Sequence, residues 1–142
     1  MASNVEITVN KKADKEILDA IKRGLKKIGM HVETYAKSLA PVDTGLLRNS
    51  ITFAIGGEPA NTASYMDNNG ENEGTYEGQA PADSKGEITL YVGTNVHYAP
   101  YQELGHMTVN GNWVAPQPFL KPAMDNHAVE YRTLMMNELS KL

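Results

Sequence analysis

The sequence predicts an α+β chain, and three observations carry that expectation. Residues 14–39 read as one long amphipathic helix, residues 50–55 and 87–92 alternate with a period of two, and the chain closes on a second helical stretch. Helix-period and strand-period segments that do not alternate regularly along a chain fit helices packed on an antiparallel sheet.

The first element is a strand, in which Val5, Ile7 and Val9 alternate with Glu6 and Thr8. Lys11 and Lys12 follow, and Asp14 falls in the first turn of the long helix. Its apolar positions, Leu18, Ile21, Leu25, Ile28, Val32, Tyr35 and Leu39, are spaced alternately three and four apart. Such a stripe keeps one helix face against a partner. Ile17 and Ala36 widen it, as a helix lying on a sheet requires. Gly24 and Gly29 each cost a helix about 1 kcal/mol relative to Ala, so they mark either a close approach or a bend. Ala40-Pro41 ends the helix, because the residue before proline is driven out of helical geometry. Asp43 or Thr44 then caps a short turn through Leu46, Leu47 and Arg48, with Gly45 inside it.

The strand of residues 50–55 shows Ile51, Phe53 and Ile55 on one face, and that of residues 87–92 shows Ile88, Leu90 and Val92. The two are expected to pair as an antiparallel hairpin. Residues 56–86 between them are too long for a hairpin loop and are rich in Gly, Asn, Glu and Ala. Tyr65, Met66 and Tyr76 are the only large apolar side chains there, so the stretch is expected to be a mobile excursion that orders against a partner. Beyond the hairpin, residues 96–105 read as a helical turn closed by Gly105. Asn110-Gly111 marks a two-residue turn between residues 107–109 and 113–115. Pro116, Pro118 and Pro122 lead into a final helix with the apolar set Phe119, Ala123, Met124, Ala128, Tyr131, Leu134, Met135 and Leu139.

Composition narrows the chemistry. The 142 residues are the size of one domain, expected to span 1–142, and 41% are hydrophobic. There is no cysteine, which removes disulfides, thiolate metal sites and thiol nucleophiles and fits a reducing cytoplasm or a particle assembled there. No signal peptide is expected at the N-terminus, and no apolar run approaches a bilayer span. The net charge is only -4, but it is unevenly spread: eight of the thirteen basic residues lie in residues 11–37. Residues 49–84 hold no Lys or Arg, while Glu58, Asp67, Glu71, Glu73, Glu77 and Asp83 are all acidic. A small DNA-binding module using the Lys-rich helix is the alternative this distribution raises, although such a domain usually shows net basicity.

Sites for chemistry are not evident. His97, Glu103 and His106 match no common metal-ligand spacing, so no metal and no cofactor are expected. The cluster Asp43, Thr44 and Arg48 reads as helix capping with Arg48 paired to Asp43 or to a neighbouring subunit. There is no nucleophile elbow and no glycine-rich phosphate loop, so no enzymatic activity is expected.

Three stretches carry a family resemblance. Ala40-Pro41-Val42-Asp43-Thr44-Gly45-Leu46-Leu47-Arg48-Asn49-Ser50-Ile51 resembles the APVDTG-x-LR-x-SI segment of the gene-product-ten neck proteins of siphophages, also called tail-completion or minor tail components. Val92-Gly93-Thr94-Asn95-Val96-His97-Tyr98-Ala99-Pro100-Tyr101-Gln102-Glu103-Leu104-Gly105 is similar to that family's VGT-x-V-x-YA-x-Y-x-E-x-G. Pro116-Gln117-Pro118-Phe119-Leu120-Lys121-Pro122-Ala123 is similar to its P-x-PFL-x-PA, which often has Arg where Gln117 stands. The order and spacing agree, while the acidic excursion and the segment after Gly105 are longer than the family pattern.

The resemblance implies a twisted antiparallel sheet packed against the long helix. It also implies a structural virion protein that forms a ring, hexameric or dodecameric, in the head-tail neck. Its partners would be copies of itself, the head connector or stopper, and the tail terminator or tail tube. DNA would pass through the channel without specific binding, no membrane would be involved, and assembly would take place in the host cytoplasm. On residue chemistry, Gly45 and Gly105 are expected to serve tight turns, Arg48 and Glu103 polar anchoring, and Tyr98, Tyr101 and Phe119 packing. The six acidic residues of the excursion are expected to contact another chain, such as a neighbour's basic helix, or to line the channel.

Overall fold

A computed structural model describes residues 4–8, 15–84 and 87–142, with backbone only for 4–8. Val9, read above as the end of the first strand, Lys11 and Lys12 after it, Asp14 in the first turn of the long helix, and residues 85–86 at the end of the excursion lie outside the described residues. The architecture is α+β, with a long N-terminal helix and a C-terminal helix packed around short antiparallel sheets.

The main sheet has three strands in the order β1-β5-β2, namely β1 (Asn4–Thr8), β5 (Glu87–Gly93) and β2 (Thr52–Ile55). Both neighbours of the central β5 run antiparallel, with Val5 opposite Leu90 and Phe53 opposite Val92. The expected pairing of the two period-2 segments is therefore present. The first of them is shorter than expected, because residues 46–50 form a one-turn helix, α2 (Leu46–Ser50).

Helix α1 (Lys15–Leu39) lies on this sheet and buries Ala20, Ile21, Gly24, Leu25, Ile28, Gly29, Val32 and Ala36. Leu39, expected on the buried stripe, is instead 45% exposed, and Ala40 takes its place in the core. A strict seven-residue repeat drifts by about 20° per heptad around a straight helix, so the last member of the stripe rotates off the face. Gly29 marks a close approach: a Cβ there would stand 2.5 Å from the Phe53 ring. Gly24 faces the Met135 thioether in the same way, at 2.6 Å.

Residues 56–84 are not a structureless excursion. They contain a second hairpin, β3 (Ser64–Met66) with β4 (Glu73–Thr75), tied back to the body of the chain by the bonds described below. Helix α3 (Ala99–Leu104) ends at Gly105 with φ 77°, and β6 (His106–Met107) pairs with β7 (Trp113–Val114) across the Asn110-Gly111 turn. The expected single final helix is two: α4 (Leu120–Asp125) and α5 (Ala128–Leu139), broken at Asn126 and His127. The Asn126 amide closes α4 on the Pro122 carbonyl, and the Tyr131 hydroxyl reaches back to the Ala123 carbonyl, which fixes the bend. Phe119, Leu120, Ala123 and Tyr131 join one hydrophobic cluster with α1 and the sheet.

Candidate functional site

The turn after α1 is built to receive the second hairpin. Gly45 precedes α2 with φ 87°, a left-handed conformation that side chains adopt at a cost of about 1–2 kcal/mol. Asn68 packs against it, where a Cβ would stand 2.5 Å from the Asn68 amide. The Asn68 amide N–H donates to the Thr44 carbonyl at 2.7 Å, and Asn49 Nδ2 donates to the Met66 carbonyl at 2.8 Å. Thr44 Oγ1 accepts the Leu46 N–H at 3.3 Å; Asp43 is exposed and caps nothing. Arg48 is half-buried, and no ion pair joins it to Asp43. Ser50 is fully buried, donates to the Leu47 carbonyl at 2.6 Å and shares a 2.6 Å hydrogen bond with Thr94.

The hydrogen bonds continue into the second motif. The Tyr76 hydroxyl donates to the Ser50 carbonyl at 2.7 Å and accepts the Asn95 N–H at 3.0 Å. Asn95 Nδ2 donates to the Thr75 carbonyl at 2.9 Å, and the Tyr65 hydroxyl donates to Asn95 Oδ1. Burial raises the phenol pKa of Tyr65, Tyr76 and Tyr98, so all three stay neutral at physiological pH, and Tyr65 and Tyr76 keep their donor protons. Tyr76 is thus a polar strut between the first and second motifs, and Tyr65 ties the hairpin to the second.

Glu103 joins the second motif to the third. Its side chain is 6% exposed, and its carboxylate accepts the backbone N–H groups of Phe119 (2.8 Å), Leu120 (3.1 Å) and Lys121 (2.9 Å). These are amides at the head of α4, which the helix itself leaves without partners. A carboxylate there also meets the positive end of the helix dipole. The Gln117 N–H donates to the Gln102 carbonyl at 2.7 Å beside it. Phe119 is fully buried; Tyr98 is half-buried, and Tyr101, 55% exposed, tilts against His106. At Gly105 a Cβ would collide with the Trp113 ring and the Val114 carbonyl, both 2.8 Å away.

The six excursion carboxylates divide into two sets. Glu58 lies 3.5 Å from Lys26 of α1. Asp67 is buried and accepts the N–H groups of Glu71 (2.9 Å) and Asn72 (3.2 Å) and the Asn72 side-chain amide (3.0 Å). Those bonds, the Asn72 side chain first, hold its carboxyl below the usual aspartate range. Asp83 accepts the Thr89 N–H at 3.0 Å. Glu71, Glu73 and Glu77 are exposed.

A polar seam between α1 and α5 was not anticipated. Glu138, buried at its side chain, lies 2.7 Å from Lys27 Nζ and 2.9 Å from Arg23 Nε, and these hydrogen bonds lower its pKa to about 2. Glu130 accepts the Tyr35 hydroxyl at 2.6 Å and lies 2.8 Å from His31 Nδ1; the Tyr35 bond, first, holds its pKa low. His127 stacks on Tyr35 at 3.6 Å between ring centroids. The signal was in the sequence: Arg23, Lys27, His31 and Tyr35 recur every four residues, and Glu130 and Glu138 share a face of α5. Four cations of the Lys-rich helix, Arg23, Lys26, Lys27 and Lys37, thus already face carboxylates of their own chain.

Among the described residues no group of three His, Asp or Glu is placed to hold a metal ion, and no helix is long and apolar enough to cross a membrane. His97 is exposed and Glu103 is committed to the α4 amides, so the His97, Glu103, His106 grouping is not a ligand set.

No curated protein and no solved structure matches the chain. One family does: the family described as "Bacteriophage HK97-gp10, putative tail-component" matches residues 7–105, which takes in the long helix and the first two motifs and stops before the third. With that match over more than half its length, the chain belongs to the HK97-gp10-like family of bacteriophage tail components.

Proposed function

We propose that this chain is a non-enzymatic building block of the virion neck. It forms a closed ring of six or twelve copies between the head connector or stopper and the tail terminator or tail tube, assembled in the host cytoplasm. DNA passes through the channel without specific contacts. Family membership over residues 7–105 carries the reading. The use made of the motif side chains supports it: Glu103, Ser50, Asn95 and Thr44 all spend their polar atoms on holding elements together, which leaves them unavailable to a substrate. Subunits of a ring meet through two different surfaces related by rotation. Glu71, Glu73 and Glu77, carried on or beside a tethered hairpin, offer one such surface to a neighbour's cations, where charge sets register.

Cryo-electron microscopy of phage particles carrying a tagged copy tests the reading. The expected result is a symmetric ring of this chain between head and tail. Tag density at the distal tail tip, or particles without the chain, would contradict it. Replacing Glu71, Glu73 and Glu77 together by Gln is expected to weaken ring assembly at low salt more than at high salt.

A further inference from the structure

Among the described side chains, residues 101–114 hold six of the thirteen exposed large hydrophobics: Tyr101, Leu104, Met107, Val109, Trp113 and Val114. Every residue from 109 to 118 is exposed, and residues 104–120 contain no Asp, Glu, Lys or Arg. An ordered, uncharged arm with no inward side chain is unlike an ordinary solvent-facing hairpin; clustered exposed apolar surface marks contact sites. The arm is built rather than frayed. The Thr108 N–H donates to the Asn112 carbonyl at 2.8 Å, the Asn112 N–H donates to Thr108 Oγ1 at 3.1 Å, and Trp113 rests against Gly105 at the base.

The same chain also carries an uncharged cleft. An open cleft of about 370 Å³ beside α3 is lined chiefly by Val96, His97, Ala99, Pro100, Leu104 and Leu120, again without an acid, lysine or arginine. In the single chain the arm stands exposed and the cleft is open. We infer that the arm of one copy, led by Val109 and Trp113, docks into the α3 cleft of the next copy. This inference rests on the ring reading above and names its contact. Nucleic acid and anionic lipid are poor occupants, because neither arm nor cleft offers a cation. The arm beyond Gly105 and the cleft are different surfaces that meet only at Leu104, so the contact is head-to-tail and closes or propagates by rotation.

The chain supplies its own reporters, since Trp113 is the sole tryptophan and there is no cysteine. Purified full-length protein is titrated while sedimentation and tryptophan emission are followed. In parallel, Val109→Cys protein is mixed with His97→Cys protein and oxidised, with Arg132→Cys on the exposed face of α5 as the control partner. The expected result is an emission shift to shorter wavelength as oligomers form, and several-fold more mixed disulfide with His97→Cys than with Arg132→Cys. Oligomers that form with unshifted emission and control-level cross-linking would overturn arm docking and leave the ring reading standing. A chain that stays monomeric with unshifted emission would overturn self-docking, and particle microscopy would judge the ring separately. A shift seen only on adding neutral phosphatidylcholine vesicles would assign the arm to lipid instead.

Discussion

Glu103 and Asp67 are both buried carboxylates that accept several backbone N–H groups, yet they organise the molecule on different scales. Asp67 reaches amides four and five residues ahead and closes the end of one hairpin. Glu103 reaches amides sixteen to eighteen residues ahead and fastens α4 to α3. A local acceptor orders a loop that is already near it in the chain. A distant one orders the packing of two elements, so its loss propagates into the core around Phe119.

The contrast predicts a graded series of effects. Glu103→Ala leaves three amides at the head of α4 without acceptors and is expected to cost about 3 kcal/mol in a urea melt, with Glu103→Gln recovering part of it. Gly29→Ala comes next: its Cβ would displace the buried Phe53 ring, at about 2 kcal/mol, while Gly24→Ala costs less because the Met135 thioether can move. An equal loss for the two glycine variants would contradict the close approach assigned to Gly29.

Glu138 gives a pH-resolved version of the same comparison. Its folded-state pKa of about 2 lies below the 4.5 of an unperturbed glutamate. Its contribution is therefore fully present above about pH 4.5 and is lost as pH falls through about 2. Acid titration followed by circular dichroism should show a steeper loss of stability across that window for wild type than for Glu138→Gln. The smallest effect belongs to Asp67→Ala, which is expected to raise amide exchange at residues 67–72 and leave the exchange of α4 and α5 unchanged.

Legibility in the sequence followed the same division between local and distant order. The long helix, the β2–β5 pairing and the Gly105 stop were readable because apolar period and glycine placement act over a few residues. The β3–β4 hairpin was not, since its order comes from Tyr65, Asn68, Tyr76 and Asn95 bonding across the chain, with no apolar alternation to betray it. The break at Asn126-His127 carries neither proline nor glycine; Pro122, the proline nearest to it, sits in the first turn of α4, where the missing N–H is harmless. Three of the six acidic residues expected to meet other chains turned out to serve their own: Glu58, Asp67 and Asp83. The seam of Arg23, Lys27, His31 and Tyr35 against Glu130 and Glu138 was present as spacing. It became meaningful once α1 and α5 were seen side by side.

Amide hydrogen exchange at Phe119, Leu120 and Lys121 in Glu103→Ala, set against Asp67→Ala, tests the central claim most directly. If Glu103 joins the second and third motifs, these amides lose protection in the first variant, together with α4 and α5, and keep it in the second. Unchanged protection of residues 119–121 in Glu103→Ala would contradict the account.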